Sequence, residues 1–511
     1  MTEVLARPPG VAADRLPPLA RREIAAVAAI SAAVLAFSTS RYGYFGDELY
    51  FLAAGRRLAF SYADQGPVLP VLARLMDTGA PDSYWALRLP ALVLTVLAVV
   101  LCALLAREFG GGRAAQLLAA AGYASSPFLL LQGSMLTTNA VDTVLWVLIT
   151  WLLVRWVRMR DDRLLLAAAL VTAVDMQVKW LIPIFWLAVA VSSVVFGPRE
   201  LVRRPALWLG GALVAVSMIP ALLWQSRHGW PQLAMGRVIG EEQDVFGGGL
   251  LFVPLSIMLA GWLGVLLLGY GTWLLLARKE LRPYRFLGVT LILLYAVFLV
   301  VGGRVYYTTG MYAAVMAVGA FGWIAALRHG ATVARRSGIA VTTALLTLSV
   351  LVTLWATPWR APRDIEPPAD TAAAAVDIGT YGSFGWPELT AAVTAAYHEL
   401  PPEQRAHAAV VTESYWQASA LDQLGNRAEL PPIHSPSRGW GYFGQPSPDT
   451  TVVLLVGGDD PEMRDHFDRA EAVGTVDVRL GFPGGTRDVV IWKYTGPKQP
   501  WSRLWPEWTH L

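Results

Sequence analysis

Between residues 23 and 357 the chain carries run after run of roughly 17–25 predominantly apolar residues, the length that crosses ~30 Å of hydrocarbon. Nothing else in the sequence constrains the fold as strongly. Lipid offers backbone amides no partners, so a chain of this kind must close its hydrogen bonds within helices. Composition agrees: 15% of residues are charged, where a soluble domain carries about a quarter, and the mean hydropathy is +0.45. The first run, Ile24 to Phe37, follows Arg21-Arg22 and lacks a small-x-small cleavage site, so it reads as a retained first span.

Eleven spans are expected, at about 23–40, 85–106, 114–132, 139–157, 164–180, 181–197, 206–225, 249–277, 284–301, 306–327 and 338–356. The arginine-rich connections carry Arg21/Arg22, Arg107/Arg113, Arg155/Arg158/Arg160/Arg163, Arg199/Arg203/Arg204, Arg278/Lys279/Arg282/Arg285 and Arg328/Arg335/Arg336. They fall on every second connection, so all lie on one side, and the positive-inside rule makes that side cytoplasmic. Residues 1–22 then form a cytoplasmic tail, 23–357 the membrane domain, and 41–84 a long external loop. The odd span count puts the C-terminus outside. The basic residues are spread among loops rather than gathered on one face, which argues against nucleic acid. The single cysteine, Cys102, excludes an intrachain disulfide and a cysteine-built zinc site.

Residues 358–511 are a different kind of polymer. Pro358, Pro362, Pro367 and Pro368 mark a linker. Beyond it a helix is expected at Pro387–Glu399, a strand at Ala408–Thr412, a helix at Tyr415–Leu424, a strand at Thr451–Val456, a helix at Pro461–Ala472 and a strand at Val489–Tyr494. Such alternation indicates a small extracytoplasmic α/β domain.

The candidate chemistry lies on the external side. Asp47 and Glu48 follow the first span and open a helix expected over 47–60 that lies in the interface. Asp47 reads either as the cap of that helix or as a general base, whose proton affinity burial can tune. Asp64 sits in the turn Asp64-Gln65-Gly66-Pro67. Asp142, near the outer end of the fourth span, reads as a solvated helix start or as a cavity acid. Asp175 and Lys179, four apart, suggest a mutual salt bridge, with a headgroup-binding Lys179 as the alternative. Only four lysines occur in the chain, at 179, 279, 493 and 498, which favours a specific role for Lys179. Arg304, beside Tyr306 and Tyr307, suits a phosphate oxygen or an interfacial belt. The loop Ser226–Gly248 reads as a lid or a solvated turn.

Taken in order, these segments resemble the membrane-integral GT-C glycosyltransferases, nearest the bacterial family-39 type related to protein O-mannosyltransferases and lipid A aminoarabinose transferases. Asp47-Glu48 resembles the acidic pair of the family's first external loop. Ala63-Asp64-Gln65-Gly66-Pro67-Val68-Leu69 resembles the turn that follows, with Gly66 in place of a proline. Leu136-Thr-Thr-Asn-Ala-Val-Asp142 resembles the second acidic motif, Val178-Lys179-Trp180 the lysine-bearing helix pair, and Arg304-Val-Tyr306-Tyr307 the arginine-bearing entry to a late span. Trp501-Ser-Arg-Leu-Trp505-Pro-Glu-Trp508 resembles the ending of members with a fused external domain.

The resemblance implies a sugar moved with inversion from a polyprenyl-phosphate-linked donor, a substrate rather than a cofactor, to an external acceptor at the bacterial cytoplasmic membrane. Asp47 would take the acceptor's proton. Glu48 and Asp142 would shape the cavity, position the acceptor or hold a divalent cation. Asp64, Tyr306 and Tyr307 would bind substrate, and Lys179 and Arg304 would neutralise the departing phosphate. A transporter or lipid-linked-sugar flippase is the alternative. Transporters usually show internal repeats and midplane sites, whereas here no repeat is evident and the polar residues cluster at one face.

Overall fold

The computed structural model describes residues 16–245, 248–426, 429–458 and 461–511. Most of the N-terminal tail read over 1–22, and residues 246–247 of the Ser226–Gly248 loop, lie outside them. The chain divides into two compact units. One comprises the residues up to Ser38, Arg88–Leu223 and Gly236–Thr357; the other comprises Thr39–Leu87, Trp224–Met235 and Pro358–Leu511. The first external loop therefore folds with the C-terminal region.

The first unit is helical. Among the described residues, five helices are long and apolar enough to cross a membrane: Tyr84–Glu108, Thr138–Met159, Lys279–Val300, Thr309–His329 and Thr332–Ala356. Three bent pairs raise the number to as many as eight. The run read as a single span over 249–277 is one of these pairs, Leu251–Met258 and Gly261–Ala277, with its halves at 110°. Gly261, with a φ of +71°, makes that corner. Arg163–Met176 and Ile182–Phe196 are shorter helices, separated by an irregular stretch that includes Lys179.

Close packing in this unit depends on small residues. A Cβ on Gly271 would stand 2.1 Å from the Val315 carbonyl oxygen, and one on Gly319 would stand 2.0 Å from that of Leu267. The two helices thus touch backbone to backbone, a contact driven by van der Waals fit where lipid removes the hydrophobic incentive. Thr332–Ala356 buries only 11% of its most apolar window, the behaviour of a helix solvated by hydrocarbon.

The second unit is built on a five-stranded sheet in the order β2-β1-β3-β5-β4: β1 (Ala408–Thr412), β2 (Ile433–His434), β3 (Val452–Gly457), β4 (Phe467–Val476) and β5 (Val489–Pro497). β1 pairs in parallel with β2 and β3, and β5 pairs antiparallel with β3 and β4. β1 and β3 are buried throughout, as their unbroken Val/Leu/Ala runs require. The helix expected over Pro461–Ala472 stops at Asp465, and Phe467–Val476 is a strand. Its Arg, Ala and Glu favour a helix locally, but an unpaired β5 edge and the β-formers Val473, Thr475 and Val476 decide for pairing. Helix Tyr415–Leu424 begins at the carboxyl end of β1 with a capping box: Ser414 Oγ accepts from the Trp416 N–H, and Gln417 Oε1 from the Ser414 N–H.

Candidate active site

The second unit brings two predicted acids into one aromatic setting. Helix Gly46–Gly55, shorter than the expected 47–60, packs against helix Tyr415–Leu424. Asp47 is not its cap. The cap position is Phe45, whose N–H donates to Glu48 Oε2 at 3.0 Å, so the fully buried Glu48 satisfies the helix start. Asp47, half-buried, instead accepts two hydrogen bonds on Oδ1, from Tyr415 Oη and Trp416 Nε1, both at 2.8 Å. Among the described residues no hydrogen bond reaches its Oδ2, which leaves that oxygen for a proton.

Asp64 accepts from Tyr50 Oη at 2.8 Å. Burial pushes its carboxyl above the usual carboxylate range and the charge of Asp47 adds to this, while Arg438 and the Tyr50 bond pull it back. Burial, and then the neighbouring carboxylates, hold the Tyr50 and Tyr415 hydroxyls well above the ordinary tyrosine value, so both remain donors. Arg438 lies over the Tyr415 ring, 5.1 Å from its centroid. Its backbone is left-handed at φ 49°, held by an N–H that donates to the His510 carbonyl at 2.8 Å. A non-glycine residue in that region marks a position the surroundings over-determine.

Two glycines admit this arrangement. A Cβ on Gly46 would come within 2.2 Å of the Trp416 ring, and one on Gly439 within 1.8 Å of Tyr50 Oη. The two helices are also tied by Asp422, whose oxygens accept from Arg56 (2.6 Å) and from Arg57 (3.0 Å). Sequence reasoning found Asp47 and Asp64 but missed Tyr415, Trp416, Arg438 and Asp422; Tyr415 and Trp416 are 368 and 369 positions beyond Asp47. The one signal was an aromatic pair opening a capped helix after a buried strand.

The first unit gathers the other candidates. Asp142 and Asp175 are buried, at 8% and 0% exposure, and interact with each other and with Trp146. Asp142 is therefore no solvated helix start. Asp175 and Lys179 do not form the expected salt bridge. The Lys179 N–H still donates to the Asp175 carbonyl at 2.9 Å, but the Lys179 ammonium stands 4.3 Å from the centroid of Tyr307 and 5.2 Å from that of Tyr306. Arg304 is ion-paired with Glu242. Glu242 lies on helix Pro231–Val245, so the segment read as a lid or turn is helical. Among the described residues no group of three or more His, Cys, Asp or Glu side chains forms a metal-ligand set.

Residues 64–224 match the family described as dolichyl-phosphate-mannose-protein mannosyltransferase. That segment includes Asp64, Asp142 and Lys179; Asp47, Glu48 and Arg304 lie outside it. Among solved structures, ArnT from Cupriavidus metallidurans in the apo state is similar at a TM-score of 0.60 and 14% identity, covering 93% of this chain and 98% of its own. The same protein bound to undecaprenyl phosphate gives 0.55 and 14%, covering 92% and 97%. The arabinofuranosyltransferase AftD from Mycobacteria gives 0.50 and 16%, covering 94% of this chain and 42% of its own. No protein of curated function matches in sequence. The chain has the fold of ArnT, and its residues 64–224 resemble the protein mannosyltransferase family.

Proposed function

We propose that this protein transfers a sugar, with inversion, from a polyprenyl-phosphate-linked donor to an acceptor hydroxyl at the outer face of the bacterial cytoplasmic membrane. The observation that carries the reading is the environment of Asp47: a carboxylate held on one oxygen by Tyr415 and Trp416 and open on the other. In a chain with the ArnT fold, that arrangement suits a general base. The acceptor hydroxyl gives its proton to Asp47 Oδ2, its oxygen bonds to the anomeric carbon from the face opposite the phosphate, and the anomeric C–O bond breaks with its electron pair leaving on polyprenyl phosphate. Lys179 and Arg304 are assigned to the negative charge of that leaving group. For Arg304 this requires exchange of Glu242 for a phosphate oxygen. The undecaprenyl phosphate bound by ArnT supports a lipid carrier of this class.

The alternating basic connections support an eleven-span arrangement with the N-terminus inside and the C-terminus outside. The test is transfer by the reconstituted full chain from polyprenyl-phosphate-linked mannose or arabinofuranose. Asp47→Asn and Asp47→Ala should each lower turnover about 10²–10⁴-fold. Unchanged turnover in both variants removes Asp47 as the base. No donor turnover, together with solute passage into liposomes, removes the transferase reading.

A further inference from the structure

Two cavities in the second unit are unused by the chemistry above. One, of about 290 Å³, is lined by Tyr62, Ala63, Trp224, His228, Gly439 and Tyr442. The other, of about 450 Å³, is lined by Asp422, Leu430, Pro432, His434 and Trp440 among others. Arg57 and Phe443 line both and form the wall between them. Together they have the size of a small-molecule cleft.

Their walls combine ring faces with planar polar groups. Trp224 stacks on His228 with centroids 4.0 Å apart and planes at 14°, and Tyr442 closes on both at 6.0 and 5.9 Å. The Arg57 guanidinium stands 4.8 Å from the Trp440 ring and 5.3 Å from that of Phe443. Asp422 accepts from both terminal nitrogens of Arg57, at 3.0 Å each, which fixes the guanidinium plane. A sugar ring presents an electropositive C–H face, which an aromatic quadrupole attracts, and a rim of hydroxyls, which the edge of a guanidinium held in a fixed plane can address. A polypeptide asks for something else. The sheet edge lining the larger cavity, β2, has two residues, too few to template an added strand.

The smaller cavity also adjoins the surroundings of Asp64. Gly439, in its wall, lies directly against Tyr50 Oη, which donates to Asp64, and Ala63 of the same wall precedes Asp64 in the chain.

We infer that these two cavities are successive subsites for a carbohydrate acceptor, with Trp224 and Tyr442 the platform nearest the acids and Arg57 the divider between sugar rings. The inference rests on the transferase reading and specifies its acceptor as a glycan.

The experiment uses the full chain in lipid nanodiscs, titrated with a four-residue mannose oligosaccharide and a four-residue arabinofuranose oligosaccharide. A threonine-rich peptide is the third probe. Saturable binding of at least one saccharide is expected, weakened about tenfold or more by Trp224→Ala and by Tyr442→Ala. Tyr442→Phe, which keeps the ring, should bind within about threefold of the unsubstituted chain. The inference is overturned if neither saccharide binds, if binding ignores both alanine variants, or if the peptide alone binds with the same dependence on Trp224. Donor turnover in the same preparations separates the two readings. Turnover with any of those adverse results removes only the glycan acceptor, whereas its absence in the unsubstituted chain removes the transferase reading itself.

Discussion

Gly46→Ala tests whether the C-terminal region holds the base. The added methyl would start 2.2 Å from Trp416 Cδ2 and 2.5 Å from Cε2. Carbon atoms in contact settle at about 3.5–4.0 Å, so the indole or the helix start must move by more than about 1 Å. The Trp416 Nε1 bond to Asp47, now 2.8 Å, does not survive that shift. Overpacking costs about 1–3 kcal/mol, and a hydrogen bond to a charged partner contributes about 1.5–3 kcal/mol. Because the displaced group orients the base, a 1 Å error should lower kcat/KM about 10²-fold. The assay is transfer from the polyprenyl-phosphate-linked donor, with thermal unfolding followed in parallel. The decisive comparison is a double-mutant cycle. In a Trp416→Ala background the methyl has no ring to strike, so Gly46→Ala should there cost less than about threefold. Equal losses in both backgrounds, or a fully active Gly46→Ala, would refute the reasoning.

Further outcomes follow from the same geometry. Asp422→Ala leaves Arg56 and Arg57 without their shared carboxylate. Since those guanidinium groups are a quarter to a third exposed, the loss should be about 2–3 kcal/mol, below that of a fully buried pair, read as a lower midpoint in denaturant. Burial alone would raise the Asp422 carboxyl, but Arg57 and Arg56 together hold it below its ordinary 3.8. Its stabilisation is therefore present above that value and lost as pH falls through the depressed one, and an Asp422→Asn chain should lose this part of its acid sensitivity. Asp64 titrates in the opposite sense, above the usual carboxylate range. If its ionised form supports transfer, kcat/KM rises with pH through that raised value, and Tyr50→Phe, which removes a donor to the ionised form, moves the rise to higher pH. An acidic limb that stays in place in Tyr50→Phe would exclude Asp64 from the reaction. Lys179→Met should weaken inhibition by free polyprenyl phosphate roughly ten- to a hundredfold, the worth of one charge-assisted contact, with Lys179→Arg restoring part of it.

Much of the architecture was legible because lipid and water impose local rules. Apolar run length marked the helices of the first unit, and the periodicities of β1, β3 and helix Tyr415–Leu424 placed them to within a residue or two. The misses share one cause. Phe467–Val476 is a strand because β5 offers it an edge, and 249–277 breaks because its middle turns at Gly261. Both outcomes depend on neighbours distant in sequence.

The site divides the same way. Asp47, Asp64, Asp142, Lys179 and Arg304 stood out in the sequence because charge beside apolar runs is costly and therefore conspicuous. What each charge does was decided by tertiary structure. Glu48 accepts from the Phe45 N–H at its own helix start, Lys179 turns from Asp175 to two tyrosine rings, and Arg304 takes Glu242. Asp47 acquires its character from Tyr415 and Trp416. The sequence by itself determined which carboxylates exist and that the chain is a membrane protein, since run length and charge are local quantities. Only folding decided which carboxylate is held with a free oxygen, because that depends on hydrogen-bond partners no local pattern can bring near.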